Sequence, residues 1–411
     1  MNSTQRPQRQ STIVRLSLLG AAALAACGGA AAQANPFYVG ASQVLSQDSN
    51  FFRVASGQPQ SRETVSTTSL LAGMDQPVSR QRLFADAAVR LNRHADNQQL
   101  DYTGGSLLVG ADISAIDAFA GRVAYSGEKT LARYGADFGF VDPNTRVTQK
   151  TEEFLLRGQY GLVSLLGVEG AVVRRQLSFS QQSANEFEHD QVSAGLKYRP
   201  SGGLTFGLGY RRTDGSYPFT ALPGGGVGPD DYKRDDIDLT ALWVATGAST
   251  VTARLSRTDE KHQGLPVRNV SGSTGAVSWA YKITGKLLLG ADYLRDTGAE
   301  SSFNPGASGG PAPIVSSSPL TTMWMLHGEY EVTGKIKMLA SVRQLNRDLV
   351  NNVGATGDDT LTETRIGVNW EPLRSVSVGC SVGYEKRDSS GTLSYEYSNS
   401  NVRCLAQFRT Q

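Results

Sequence analysis

What this 411-residue chain lacks excludes several classes of protein at once. Beyond residue 34 no stretch approaches the ~18 consecutive apolar residues of a membrane-spanning helix, so any bilayer crossing must be made with strands. His94, His189, His262 and His327 are scattered, with no second histidine or cysteine at ligand spacing. The aspartate pairs Asp230-Asp231, Asp235-Asp236 and Asp358-Asp359 lack the spacing of an EF-hand loop, so no metal is expected. The glycine-rich LPGGGVGPDD (Leu222 to Asp231) has neither the preceding strand, the following helix nor the lysine of a phosphate loop, and no nucleotide or other cofactor is expected. His327 falls on the polar face of a strand, but no serine or carboxylate can be set beside it for nucleophilic chemistry, so the chain reads as no enzyme, with no catalytic residue. Charge of one sign is also missing. There are 40 basic and 38 acidic side chains, and removal of a leader holding Arg6, Arg9 and Arg15 leaves a net charge of −1, which implies neither nucleic acid nor an anionic surface as partner.

The leader itself is legible. Arg6, Arg9 and Arg15 form a basic region, Leu16 to Ala26 an apolar one, and Ala32-Gln33-Ala34 a small-residue cleavage site before Asn35. Residues 1–34 therefore read as a secretory signal peptide and 35–411 as one domain. Leu24-Ala25-Ala26-Cys27 offers an alternative, a lipoprotein signal with a lipid on Cys27.

What is abundant is a repeated hairpin: alternating apolar and polar residues for about ten positions, a tight turn, the alternation again, then a long polar loop. GLTFGLGYRR (Gly203 to Arg212), GAVSWAYKITGKLLLGADYLR (Gly275 to Arg295) and TTMWMLHGEYEVTGKIKMLASVRQL (Thr321 to Leu345) are clean copies. Tight turns at Gln76 to Ser79, Ile116-Asp117, Leu162 to Ser164, Pro200 to Gly203, Gly247-Ala248, Thr284-Gly285, Thr333-Gly334 and Pro372 to Arg374 recur about every forty residues. Between them lie polar connections at Asp48 to Arg62, His94 to Gln99, Gly127 to Lys150, Ser180 to His189, Thr213 to Tyr232, Asp259 to Asn269, Thr297 to Pro319, Asn346 to Thr360 and Lys386 to Leu393. The alternation predicts an all-β, antiparallel, up-and-down transmembrane barrel of roughly 18 strands, with 16 or 20 also open, short periplasmic turns and long extracellular loops. Its location is the outer membrane of a Gram-negative bacterium, with outer-membrane lipid as its first partner.

The two faces of the strands are separable because a one-residue slip would scramble them. One face reads Phe206/Leu208/Tyr210, Ile237/Leu239/Ala241/Trp243, Val277/Trp279/Tyr281, Leu287/Leu289/Ala291/Tyr293, Trp324/Leu326/Tyr330 and Ile366/Val368/Trp370, and should touch lipid. Tyr160, Tyr198, Tyr281, Tyr330 and Trp370 fall at the periplasmic ends and Tyr125, Tyr210, Tyr293 and Tyr384 at the outer ends, forming two aromatic girdles. The other face carries Arg90, Arg122, Arg157, Arg175, Lys197, Arg211, Arg254, Lys282, Arg343 and Arg365 against Asp86, Asp112, Glu153, Glu169, Asp238, Asp292 and Glu329. Burying so many ions in a dry core would cost several kcal/mol each, so a wet lumen is expected, with these residues as candidates for lining a transport path. Mixed sign argues against a simple anion pore. Cys380 and Cys404 should lie nearly opposite on neighbouring strands; a disulfide could join them, although two small apolar lipid-facing residues is the plainer reading. The Gly/Pro-rich loops Leu222 to Asp231 and Phe303 to Pro319 could fold inward as gates, but surface loops of this composition need no such role.

The segment NPFYVGASQVLSQDSNFFRV places Asp48-Ser49-Asn50-Phe51-Phe52-Arg53 directly after a first strand. This block resembles the N-terminal signature of the EpsL family, outer-membrane β-barrels encoded in exopolysaccharide biosynthesis clusters. The resemblance implies export of an exopolysaccharide chain as a passive conduit, with periplasmic or inner-membrane export proteins as partners. It brings no catalytic residues. A diffusion porin and a non-conducting scaffold of a secretion complex are the alternatives. Within the block, Asp48, Asn50 and Arg53 could contact a saccharide or close a loop onto the barrel mouth; an Asx-type turn leaving the first strand needs no partner and is preferred. At the other end, Val402, Cys404, Ala406 and Phe408 alternate like a closing strand, followed by Arg409-Thr410-Gln411 where many barrels end on the aromatic residue.

Overall fold

A computed structural model describes residues 36–115, 118–135, 144–181, 183–297, 320–351 and 354–410. The leader with Cys27, the Ile116-Asp117 turn and the Phe303 to Pro319 loop lie outside the described residues. Eighteen strands follow one another: β1 (Phe37–Asp48), β2 (Glu63–Val78), β3 (Gln81–His94), β4 (Tyr102–Ala115), β5 (Phe119–Leu131), β6 (Thr148–Tyr160), β7 (Leu166–Phe179), β8 (Phe187–Ser201), β9 (Leu204–Ala221), β10 (Val227–Thr246), β11 (Ser249–His262), β12 (Val270–Lys282), β13 (Leu287–Asp296), β14 (Leu320–Thr333), β15 (Ile336–Val350), β16 (Thr356–Leu373), β17 (Val376–Ser390) and β18 (Tyr397–Arg409). Each pairs antiparallel with its sequence neighbours, and β1 pairs with β18 from Gly40↔Arg409 to Asp48↔Asn401. The sheet is a closed barrel. Closure leaves no unpaired edge, which is the condition for crossing lipid with strands.

Turn chemistry sets the short end. Thr284 Oγ1 accepts hydrogen bonds from the Lys286 and Leu287 amides, and Thr333 Oγ1 accepts from Lys335 and Ile336, so one hydroxyl satisfies two amides that the tight turn would strand. Both chain ends of the barrel sit at this short end. The tail after Phe408 completes the seam: Arg409 pairs with Gly40 and the Thr410 amide donates to the Val39 carbonyl at 2.9 Å.

The outward alternation is as the sequence predicts. Leu208, Ile237, Leu239, Trp243, Leu326, Ile366 and Trp370 are all exposed on the barrel exterior. An apolar exterior on a closed barrel suits the outer membrane. Cys380 and Cys404 stand opposite one another on the same outward face and are joined as a disulfide across β17–β18.

Several polar connections are shorter than expected. The Thr213 to Tyr232 loop is mostly ladder: β9 runs to Ala221 and β10 starts at Val227, so the glycine-rich segment is only a hairpin tip. Likewise β15 and β16 extend to Val350 and from Thr356, β5 reaches Leu131, β8 begins at Phe187 and β17 runs to Ser390. These extensions stand above the lipid, so their outward face is largely polar, while their inward face mixes polar residues with Phe187, Tyr217 and Tyr232. Without an apolar outward face the alternation that marks a lipid-crossing strand is missing.

The apolar interior lies at this outer end. Ala276, Leu294, Met323, Leu345, Leu361 and Tyr397 form one cluster, Phe52, Leu100, Ala132, Tyr134 and Val147 a second, and Leu177, Phe187, Tyr217 and Tyr232 a third. The first is a continuous inward row, since Ala276, Leu294, Met323, Leu345 and Leu361 are successive cross-strand partners. The inner face is therefore not polar throughout. Its outer third has a core of its own.

Candidate functional site: the lumen and its outer constriction

The register places all the predicted lumenal charges on the inward face, and pairs most of them. Arg90 meets Glu128 at 3.3 Å, and Arg122 and Arg82 share Asp112. Arg157 and Lys197 converge on Glu169 at 3.0 and 2.8 Å, and Arg175 reaches Glu153 at 3.8 Å. Arg211 lies 3.1 Å from both Asp236 and Asp238, Arg254 is 2.9 Å from Asp296, and Arg343 pairs with Glu363. Glu329 takes Lys337 at 2.7 Å, Asp292 accepts from Ser278 at 2.7 Å beside His327, and Asp86 accepts from Tyr38. Lys282 and Arg365 have no carboxylate partner among the described residues. Neither does Arg403, a lumenal arginine outside the predicted set.

Above the membrane level the charges are not wet. Arg234, only 1% exposed, is held by Asp236 at 2.8 Å, Asp296 at 2.7 Å and the Thr297 hydroxyl at 2.6 Å, with Glu260 at 3.8 Å. Thr258 donates to Asp236, and Thr297 donates to Glu260 at 2.6 Å. The expectation of a uniformly solvated lumen is corrected here. Burial of these ions is offset by full pairing and hydrogen bonding, the one arrangement in which it is tolerable.

At the tip of this wall His262 is enclosed by Asp230 at 2.8 Å and Glu260 at 3.0 Å and stacks against Tyr217 and Tyr232. Strand β11 spends its first ten or so residues crossing the lipid, so His262, its last, stands outside. Burial would lower its pKa, but the two carboxylates outweigh that and push the imidazole up to about 9. The contribution of this folded-state shift is complete below the ordinary imidazole value of about 6.5 and is lost as pH rises through about 9. Amides of the 263–269 loop are expected to lose protection against hydrogen exchange, after correction for intrinsic rates, between pH 7 and 10. An unchanged protection profile, or the same profile in H262Q, would refute this.

The DSNFFR block reaches into the outer lumen. Asn50 does form a local turn, accepting from the Val54 amide at 3.0 Å and donating to the Val54 carbonyl, but it also donates to the Ser398 carbonyl. Asp48 accepts from Asn399 at 2.7 Å, and Asn399 in turn accepts from the Asn50 amide. The preferred reading of a free-standing turn is thus incomplete: the turn is welded to β18. It sets Phe51 edge-on to His94, the last residue of β3, and Phe52 edge-on to Tyr134 in the connection from β5 to β6. It also carries Arg53 inward. Arg53 takes a left-handed backbone with φ of 50° and donates to Glu385 through Nε at 3.0 Å and Nη2 at 3.3 Å.

Glu385 is a hub. It also accepts from Tyr397, and from Arg133 at 3.5 Å. Arg133 belongs to the connection between β5 and β6, and it also reaches Glu363 on β16 at 3.9 Å. Between β5 and β17 the ring order counts six of eighteen strand steps, so this connection bridges a third of the circumference from the inside. Gly135 passes so close that a Cβ there would stand 3.4 Å from the Tyr395 hydroxyl. Arg53 from the β1–β2 connection and Arg133 from the start of the β5–β6 connection thus reach inward onto Glu385 and Glu363 and narrow the outer lumen. Neither Glu385 nor Arg133 is in the predicted set. Inward parity could have found Glu385; nothing in a single sequence places Arg133.

No protein-family model matches the chain, and no curated protein does. Among solved structures the barrel is similar to the Pseudomonas aeruginosa protein OpdK crystallised with vanillate, at 12% identity and a TM-score of 0.49, covering 91% of this chain and 98% of that one. It is also similar to Pseudomonas aeruginosa OpdO, at 14% identity and a TM-score of 0.49, covering 91% and 97%.

Proposed function

We propose that the protein is a diffusion channel of the outer membrane for small hydrophilic solutes. The observation that carries this reading is the arginine and glutamate clamp formed by Arg53, Arg133, Glu363 and Glu385 inside a barrel wide enough, at eighteen strands, to hold an aqueous path. Inward folding of two connections reduces that path where solutes enter and lines it with fixed charge and hydrogen-bonding groups, which suits selection among small molecules. A sliding polymer needs an even-walled tube, so the clamp weighs against the exopolysaccharide conduit that the EpsL resemblance implies. Chemistry is not required of it: solutes move down their gradients.

Purified protein added to planar bilayers is expected to give discrete, ohmic conductance steps. Insertion without conductance would favour a scaffold and overturn the proposal.

A further inference from the structure

Just inside the constriction, on the wall made by β16, β17 and β18, two arginines stand without carboxylate partners among the described residues. Arg365 on β16 pairs in register with Gly383 on β17, which pairs with Asn401 on β18; Arg403 lies two residues further inward, opposite Ser381 on one side and Ser46 on the other. All face the lumen, and both arginines are exposed to it. Gly383 leaves a gap in the wall over which the Asn401 carboxamide folds, so close that a Cβ at 383 would meet it at 2.7 Å.

The nearest carboxylates are already engaged. Glu363, two residues outward of Arg365, is taken by Arg343 and Arg133, and Glu385, two residues outward of Gly383, by Arg53, Arg133 and Tyr397. Arg90, the next lumenal cation on the β3 side, is bonded to Glu128 and Ser106. The mixed sign of the whole wall therefore conceals a local imbalance. Among the carboxylates predicted to line the lumen, Asp112, Glu153, Glu169, Asp238 and Glu329 have cationic partners and Asp86 and Asp292 accept from hydroxyls, while these two guanidiniums have no carboxylate among the described residues.

We infer that Arg365 and Arg403, with the Asn401 carboxamide and the Ser381 and Ser46 hydroxyls, form a lumenal binding site for an oxyanion, a carboxylate or phosphate carried by the passing solute. Guanidinium forks match the planar or tetrahedral oxygens of such groups, and the hydroxyls and amide supply neutral donors around them. Exposure to the lumen keeps the site shallow enough to release what it binds. The inference rests on the channel reading for its purpose but not for its chemistry.

Two measurements separate those. In bilayers under a KCl gradient, the wild-type reversal potential is expected to show anion preference and inorganic phosphate to reduce the chloride current. R365Q/R403Q, which removes no ion pair and should fold normally, is expected to abolish both, and R365K/R403K to retain the preference. Calorimetry on the detergent-solubilised barrel should show phosphate and benzoate binding weakened at least about tenfold in the glutamine double variant, the loss expected for two charged hydrogen-bonding groups. Conductance with an unchanged reversal potential and unchanged phosphate block in the double variant overturns the site and leaves the channel standing. Absent conductance with phosphate binding that the double variant loses keeps the site and discards the channel. Phosphate binding that is absent, or equal in both proteins, overturns the site.

Discussion

Replacing Glu385 with alanine is expected to open the outer constriction and raise single-channel conductance. The substitution removes the carboxylate shared by Arg53, Arg133 and Tyr397, leaving two guanidiniums and a phenol in a lumen where Glu385 itself is nearly buried. Breaking one partner of such a buried set costs about 3–5 kcal/mol, because the remaining charges lose their compensation. The left-handed backbone of Arg53 adds roughly 1 kcal/mol or more that only its side-chain contacts repay. Relief comes by release of the 49–62 connection into solvent. The variant should therefore show larger, noisier steps and faster proteolysis between β1 and β2, while E385Q, which keeps hydrogen-bonding capacity, should fall between. Conductance equal to wild type in E385A would mean that the clamp does not limit the path.

Asp296→Ala is expected to cost stability on the same scale, about 3–5 kcal/mol, through a different group. Asp296 holds Arg234 at 2.7 Å and Arg254 at 2.9 Å, and both it and Arg234 are 1% exposed. Alanine strands Arg234 and Arg254 in the packed outer third, with Asp236 left as the main counter-charge of Arg234. The control is Asp112→Ala. Asp112 also holds two arginines, but its carboxylate is 31% exposed and its partners Arg122 and Arg82 27% and 48%, so its loss should cost no more than ~1 kcal/mol. Urea titration of folding into lipid vesicles measures both. Equal effects at the two sites would show that the outer cluster is hydrated after all.

Within the membrane the fold was legible from sequence because lipid imposes contrast. Each strand there must be apolar outward, so Phe206, Leu208 and Tyr210 declare their face and, by parity, that of Arg211. The same parity would have found Arg403, hidden between Val402 and Cys404 in a strand read only for its apolar members. Above the membrane the contrast vanishes. Arg234 and Asp236 alternate with Lys233 and Asp235, and neither burial nor exposure marks such residues by type. The constriction was the least legible part. The contact between Arg53 and Glu385 spans 332 positions, and it depends on the turn at Asn50 being bonded to β18 as well as to itself. Composition correctly reported that charges balance. It could not report that the balance is reached by pairing in one region and leaves Arg365 and Arg403 unpaired in another.

Size exclusion by the open channel tests the clamp most directly. Poly(ethylene glycols) of graded size, added to both sides of a bilayer holding the wild-type channel, should depress conductance only when small enough to pass the clamp between Arg133 and Glu385, and the cut-off should move to larger polymers in E385A. A wild-type cut-off as large as that of the bare eighteen-stranded cylinder, unchanged in E385A, would contradict a channel narrowed by its own folded-in connections.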